Sequence, residues 1–332
     1  MKAIVAYGSK KVEFETNRAR PTLKPGEVLV RVRASPIQPS DLLNVSGNFP
    51  NTAFPIVPGR DYAGLVVEPA SSPWHGTSVY GTSGTDLSIT RDGAHAEFVV
   101  LPEDSLAAAP KNLDSLQASL VGTPWTTAWL ALHRADAKKG ETVLVVGAGG
   151  KVGSAVVELA KSNLWGCRVL TAGRGDKYDV DVGLHPDMST VKEKKGGRGP
   201  NVVVDATGDL RLAHAGLRVA SKRGRLCIIS TASSKGTTDN SVSIDFKELY
   251  RMEHVMIGCN SFEHSMQEMA GFLLQMASGF ESGELSAPNP SGPRIKKIGL
   301  EGVKNAYEQM ANGSQDVFLI EMGRSLQWLR KV

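Results

Sequence analysis

The chain reads as an α/β protein: a doubly wound parallel sheet preceded by a mostly-β half. Three observations predict this. From residue 142 onward, short apolar runs alternate with segments of helical period, a pattern that calls for a parallel sheet covered on both faces. At residues 143–161 the sequence V-L-V-V-G-A-G-G-K-V-G-S-A-V-V-E-L-A-K runs from an apolar strand through a glycine turn straight into an amphipathic helix. Before residue 121, short strand-like runs are instead punctuated by P-G at 25–26 and 58–59, and V-L-V-R-V-R at 28–33 alternates as a half-buried strand does. The 332 residues, 41% hydrophobic and 22% charged, are enough to bury more than one core.

Taken in order, the mostly-β half has strands at 28–33 and 94–101. The parallel sheet takes its strands from 142–146, 168–172, 202–204, 225–229 and 255–258, with crossover helices at 154–162 and 210–221. Beyond it, 263–278 is helical in pattern, 287–293 is a proline-rich loop, and 301–311 is a further helix. A closing strand at 317–322 has no evident partner in the parallel sheet, so it is expected to return to the N-terminal half. The expected division is therefore 1–121, 122–260 and 261–332, the first and last forming one discontinuous domain.

Composition narrows the function classes. The formal net charge of +4 is small for this length, and the basic residues are dispersed except at 191–198, a run read as a solvated helix end and loop. Nucleic acid is not an expected partner. Cys167, Cys227 and Cys259 lack the C-x-x-C spacing of a structural zinc site, and their odd number gives no disulfide framework. A reducing compartment, the cytoplasm, fits best. No stretch approaches the ~18 apolar residues that span a bilayer, and the N-terminus lacks a long apolar core, so no membrane association is expected. The 7 histidines show no paired spacing.

The glycine turn carries the chemistry. Gly147, Gly149 and Gly150 let the backbone turn tightly and approach a ligand. Gly153 lets the helix start pack on the strand, and the N–H groups of the first turn, from Lys151 and Val152, face an anion. A dinucleotide pyrophosphate is the expected guest. At the end of the second strand stand Gly173 and Arg174, with Lys177 and Tyr178 close behind and Asp176 as the nearby acid. A guanidinium pairs bidentately with phosphate and stacks on adenine, so Arg174 favours the 2′-phosphate of NADPH; the plainer alternative is a solvated turn. Between Arg174 and a third strand near 180–182 there are too few residues for a helix of about ten, which leaves the adenine side open.

Several separated motifs together resemble the medium-chain dehydrogenase/reductase superfamily, specifically its zinc-independent quinone oxidoreductase and enoyl reductase branch. These are P-G-E-V-L-V at 25–30, Q-P-S-D at 38–41, P-G-R-D-Y-A-G at 58–64, G-T-P-W-T-T-A-W-L-A-L at 122–132 and the glycine turn at 147–153. The resemblance implies a GroES-like β domain joined to a Rossmann domain, with the active site in the cleft between them. Where zinc-dependent relatives carry a cysteine and Gly-His-Glu, this chain has Gln38 and Gly59-Arg60-Asp61, so no metal is expected. Where enoyl reductases carry a tyrosine in a G-x-Y-P setting, it has Phe49, which donates no proton.

Candidates for the missing acid or oxygen partner are Tyr62, Arg60, Gln38 and Ser40. Tyr62 is open to a catalytic or a structural role. Arg60 is open to anchoring a carbonyl or carboxylate, or to closing its turn on Asp61. Asp41 is expected to cap the helix that begins at Leu42. Thr126 and Thr127 are placed at the opening of the helix into the cofactor domain, with Thr127 reaching the cofactor. Ser230, Thr231, Cys259 and Asn260 end two strands and are expected beside the nicotinamide.

The resulting expectation is an NADPH-dependent, zinc-independent oxidoreductase that passes hydride to an activated C=C or a quinone, including a tailoring reductase of secondary metabolism. Its partner is a small-molecule substrate, and the chain is a homodimer or monomer, with the apolar edge strand 255–258 available for pairing. The alternatives are a cofactor-binding redox sensor or structural protein with little turnover, and a carbonyl or alcohol dehydrogenase.

Overall fold

A computed structural model of the chain describes residues 1–8, 10–193, 198–231 and 241–323. It divides into two compact units, Met1–Thr123 with the returning segment from Phe262, and Pro124–Ser261. Of the basic run at 191–198, residues 194–197 lie outside the described residues, as do 324–332 at the C-terminus.

In the second unit, six strands form one wholly parallel sheet in the order Val180–Asp181, Arg168–Gly173, Thr142–Val146, Val202–Asp205, Arg225–Ile228, Val255–Gly258. The strand order reverses beside Thr142–Val146, the arrangement that opens a crevice at the carboxyl ends of the central strands. Thr142–Val146 and Val202–Asp205 are buried at every residue, as expected for central strands covered on both faces. The covering helix Lys151–Lys161 buries Gly153, Ala155, Val156, Leu159 and Ala160, a stripe of small and branched residues that lets it lie close to the sheet. It begins three residues before the position expected from sequence, because the glycine turn itself forms the N-cap at Gly150. The segment 174–179 contains no helix: Asp179 turns back and accepts from the Thr171 N–H and hydroxyl, both at 2.8 Å. The third strand is consequently two residues long.

In the first unit, the long strand Glu27–Pro36 is the hub. It pairs antiparallel with Tyr62–Glu68, Phe98–Pro102 and Val317–Glu321, and the last of these pairs in parallel with Ile295–Ile298. The closing strand thus joins the N-terminal sheet through Leu319–Pro36 and Ile320–Ser35 registers. The expected strand at 94–101 begins only at Phe98, since the backbone of Ala94 and His95 bonds instead to the turn at Pro58 and Gly59. The helix expected from 263 starts at Met266 because Ser265 and Glu268 form a reciprocal cap, with Glu268 N–H to Ser265 Oγ at 3.1 Å and Ser265 N–H to the Glu268 carboxylate at 2.8 Å. It ends at Ser282, where Gly283 takes a left-handed φ of 77°.

His95 ties two layers of this unit together. Its ring is fully buried; Nε2 faces the Pro36 carbonyl at 3.3 Å and Nδ1 faces the Tyr307 hydroxyl at 3.2 Å. One hydrogen on Nε2 and none on Nδ1 satisfies both contacts, so the neutral ring fits. Burial pushes its pKa down to about 4. The unfolded chain then binds more protons than the folded one between roughly pH 6.5 and 4, and stability is lost as pH falls through that window. The full shift corresponds to at most ~3 kcal/mol. We predict that His95→Gln, compared with wild type by urea denaturation at pH 7 and pH 5, removes about 1–2 kcal/mol of acid-induced loss; an equal loss in both proteins contradicts the assignment.

Candidate functional site

The nucleotide cradle in the second unit is built by close backbone approach. Gly147 has φ +82°, a conformation open to glycine, and a Cβ there would lie 2.7 Å from the Thr207 methyl. A Cβ on Gly153 would sit 2.1 Å from the Gly147 carbonyl oxygen, inside backbone that cannot yield. Gly150 caps the helix with no side chain to satisfy its first-turn N–H groups, those of Val152 and Gly153 among them. Such groups lack partners within the helix and carry its positive end. A cradle so shaped suits a pyrophosphate.

Tyr178 explains two further glycines. Its hydroxyl would lie 2.0 Å from a Cβ on Gly149, and its ring 2.5 Å from one on Gly173. The phenol therefore lies across the glycine turn and the end of the second strand. The Lys177 ammonium stands 5.0 Å from the centre of that ring, and the Arg174 side chain is exposed at the strand end. Of the acids nearby, Asp179 is committed to Thr171, and Asp181 accepts the Gly183 N–H at 2.8 Å, which holds its pKa low together with the Gly175 N–H. Asp176 is exposed.

Sequence reading missed Asp205. This buried carboxylate ends a central strand and accepts from the Thr207 N–H (3.0 Å), the Thr207 hydroxyl (2.6 Å) and the Gly208 N–H (3.2 Å). Burial nonetheless raises its pKa. It fixes the turn whose Thr207 methyl abuts Gly147; the signal was D-A-T-G directly after V-V-V, an acid at the end of an all-apolar run.

Ser230 and Thr231 are exposed just past the strand Arg225–Ile228. Asn260 is exposed and Cys259 buried just past Val255–Gly258. All four lie at the carboxyl end of the parallel sheet. Thr127 differs from expectation. The helix begins at Gly122 and runs to Arg134, so Thr126 and Thr127 are buried in its second turn and do not open it. Trp129 packs edge-on against Trp165, with ring centres 4.5 Å apart.

The first unit holds a buried polar cluster on the motifs at 38–41 and 58–64. Gln38, not Asp41, is the N-cap of the helix Pro39–Val45; Asp41 lies one turn in, where its carboxylate accepts the Gln38 N–H at 2.7 Å. Proline at the first helical position sets the helix start three residues earlier than expected. Asp41 also accepts the Arg60 N–H at 3.2 Å, and burial pushes its pKa up to about 7 against those two bonds.

Arg60 and Asp61 turn away from each other. The Arg60 guanidinium, 1% exposed, sends Nε to Ser83 Oγ (2.7 Å), Nη2 to the Ser83 carbonyl (3.1 Å) and Nη1 to Ser40 Oγ (3.3 Å). Phe262 covers its face at 3.7 Å, and Phe49 packs on Phe262 at 4.4 Å. The Asp61 carboxylate accepts from Gln38 Nε2 (2.7 Å) and from the Thr123 N–H (2.9 Å) and hydroxyl (2.6 Å). Tyr62 lies in the apolar core among Val30, Val66 and Val79, where burial raises its pKa.

These residues do not fit a metal ion. The Gln38 amide is spent on Asp61, Asp61 is saturated by neutral donors, and Arg60 already places a cation in the cluster. Among the described residues, no group of three or more His, Cys, Asp or Glu is placed to hold one. No described helix is long and apolar enough to cross a membrane.

The cradle yields one direct expectation. Gly153→Val forces the helix start off the strand; we predict a loss of ~1–3 kcal/mol in thermal unfolding and at least ~10-fold weaker dinucleotide binding by tryptophan fluorescence. Unchanged binding contradicts the role of close approach.

Residues 24–111 match the alcohol dehydrogenase GroES-like domain. The chain is 40% identical over 303 residues to the zinc-type alcohol dehydrogenase-like protein C337.11 of Schizosaccharomyces pombe, covering 91% of this chain and 90% of that one. It is 28% identical to the quinone oxidoreductase of Homo sapiens, covering 92% of each chain. A solved alcohol dehydrogenase superfamily protein from Novosphingobium aromaticivorans shares the fold at a TM-score of 0.80 and 24% identity, over 97% of this chain and 100% of its own. The parallel sheet with its glycine cradle, the GroES-like half and these relatives agree: the chain belongs to the medium-chain dehydrogenase/reductase superfamily, a family of oxidoreductases that use a nicotinamide cofactor.

Proposed function

We propose that this protein is an NADPH-dependent reductase that delivers hydride to a quinone or to a C=C bond conjugated with a carbonyl, without a metal ion. The observation that carries the reading is the glycine cradle bordered by an exposed guanidinium, with the neighbouring acids Asp179 and Asp181 committed to backbone and hydroxyl donors. An acid aimed at the ribose hydroxyls favours NADH and a cation there favours the extra phosphate; the exposed Asp176 is not so committed, and the reading weighs it against the cations Arg174 and Lys177 on either side of it. The similarity to a quinone oxidoreductase over nearly the whole chain supports the acceptor class.

In this reading the first-turn N–H groups of Lys151, Val152 and Gly153 hold the pyrophosphate, and Arg174 with Lys177 hold the 2′-phosphate beside the Tyr178 ring. Ser230, Thr231, Cys259 and Asn260 border the nicotinamide end. The bound coenzyme supplies the hydride, and the protein's task is to hold the acceptor carbon against it and shelter the charge that develops. Without a Lewis acid to polarise an alcohol, simple alcohol oxidation loses its usual driver.

Among the described residues the edge strand Val255–Gly258 has a neighbour on one side only, and Val255 and Met256 are exposed. Phe246 and Tyr250, on the helix Phe246–Met252, are 75% and 79% exposed. The reading therefore includes a homodimer paired along this edge.

Two expectations follow from this reading. Arg174→Ala raises the KM for NADPH about tenfold and leaves that for NADH within about twofold, the loss expected for one charge-assisted pair; parallel changes remove the phosphate role. Sedimentation equilibrium shows a dimer that Met256→Glu dissociates, and a monomeric wild type rejects the edge pairing.

A further inference from the structure

We infer that Cys227 and Cys259 form a redox-sensitive pair that a peroxide closes into a disulfide within one chain. The bridge needs neither coenzyme nor metal to form.

Both cysteines belong to the second unit. Cys227 lies in the strand Arg225–Ile228, and its Cα partner on the neighbouring parallel strand is Ile257. Cys259 follows that neighbour, yet its N–H still donates to the Ile228 carbonyl at 2.9 Å, so the ladder reaches it. Side chains alternate along a strand, which sends Cys259 out on the same face as Ile257 and Cys227. Leu226 and Ile228 point the other way, into the core cluster with Leu144 and Val203. Across this diagonal the two thiols hydrogen-bond to each other.

That bond makes the two sulfurs unequal. Donation from the Cys227 S–H, together with the positive charge of Arg134, holds the Cys259 thiol below its ordinary range against the effect of burial. The same bond and burial raise Cys227. Arg134 is kept close by its Nε, which donates to the Gly258 carbonyl at 2.9 Å. Since the thiolate is the nucleophile in thiol oxidation, Cys259 reacts first and Cys227 resolves. Cys227 is 0% exposed and Cys259 5%, with exposed Gly258 and Asn260 on either side of the latter, the side from which a water-sized oxidant arrives.

The Cys259 thiolate attacks one peroxide oxygen: an S–O bond forms, the O–O bond breaks, and the departing hydroxide takes up the proton that Cys259 gave up. The Cys227 sulfur then attacks the sulfenic sulfur: the S–S bond forms, the S–O bond breaks, and the hydroxide leaves with the Cys227 proton as a second water. The thiol pair gives up two electrons and the peroxide is reduced to water. In compartments that keep cysteines reduced, such bridges are transient and redox-sensing. Cys167 serves as the internal control: it is 7% exposed, its Sγ faces the Lys138 carbonyl at 3.3 Å, and burial raises its thiol.

The test uses the full-length protein, reduced with a phosphine and freed of it, then treated with hydrogen peroxide and alkylated in denaturant. Alkylatable thiols are expected to fall from three to one, with a mass about 2 Da lower before alkylation, the peptides holding Cys227 and Cys259 joined, and every thiol restored by fresh phosphine. In Cys227→Ala the sulfenic acid persists on Cys259 and is trapped by dimedone; in Cys259→Ala, Cys227 oxidises at least ~10-fold more slowly than Cys259 does in wild type. Three alkylatable thiols after peroxide sufficient to oxidise free glutathione, a bridge that includes Cys167, or a bridge that joins two chains overturns the assignment. Where a variant does not fold, the peptide map of the wild type decides alone.

Discussion

One close approach of backbone to backbone in the second unit, Gly153 against Gly147, positions the cradle built on it. With the Gly153 Cα seated on the Gly147 carbonyl, the helix Lys151–Lys161 starts directly at the end of a fully buried strand. That contact aims first-turn N–H groups outward with a glycine cap that offers them nothing. An anion is the natural complement of such a helix start. The same economy of side chains recurs at Gly149 and Gly173, which make room for Tyr178, and at Gly147, which makes room for Thr207. Asp205 then locks the Thr207 turn in place, so the cradle is shaped from three strand ends at once.

The first unit solves a different electrostatic problem. Its two turn motifs bring a guanidinium and two carboxylates into the protein interior, where unpaired charge is expensive. The structure distributes them so that each finds neutral donors or acceptors: Arg60 on Ser83 and Ser40, Asp61 on Gln38 and Thr123, Asp41 on backbone N–H groups. A cation supplied by the chain thus occupies a cluster that relatives of the zinc-dependent kind are expected to build around a metal.

Much of this architecture was legible in the residues. Strands 142–146 and 255–258 were placed to the residue, because apolar runs between turn signals leave little freedom in a parallel sheet. The absent helix after Arg174 was visible as a shortage of chain, though the bond from Asp179 back to Thr171 that closes the gap was not. Helix starts were read late where the cap is a glycine or a glutamine: Gly150 and Gln38 lack the short oxygen-bearing side chain that marks a cap in sequence. The parting of Arg60 from Asp61 was illegible for a physical reason. Adjacent charged residues in a turn suggest a pair, but their partners Ser83 and Thr123 come from over 20 residues and over 60 residues away. Asp205 escaped notice because its three bonds are local and its importance lies in the contact of Thr207 with Gly147.

We propose, as the central claim, that reducing power passes as hydride from a coenzyme gripped by main-chain N–H groups, without help from a metal ion. Incubation with NADPH dideuterated at nicotinamide C4, 2-cyclohexenone and excess EDTA tests it most directly. The account predicts cyclohexanone carrying one deuterium at the former β carbon, at a rate the chelator does not change. Unlabelled product, or turnover that stops with EDTA and returns with zinc, contradicts it.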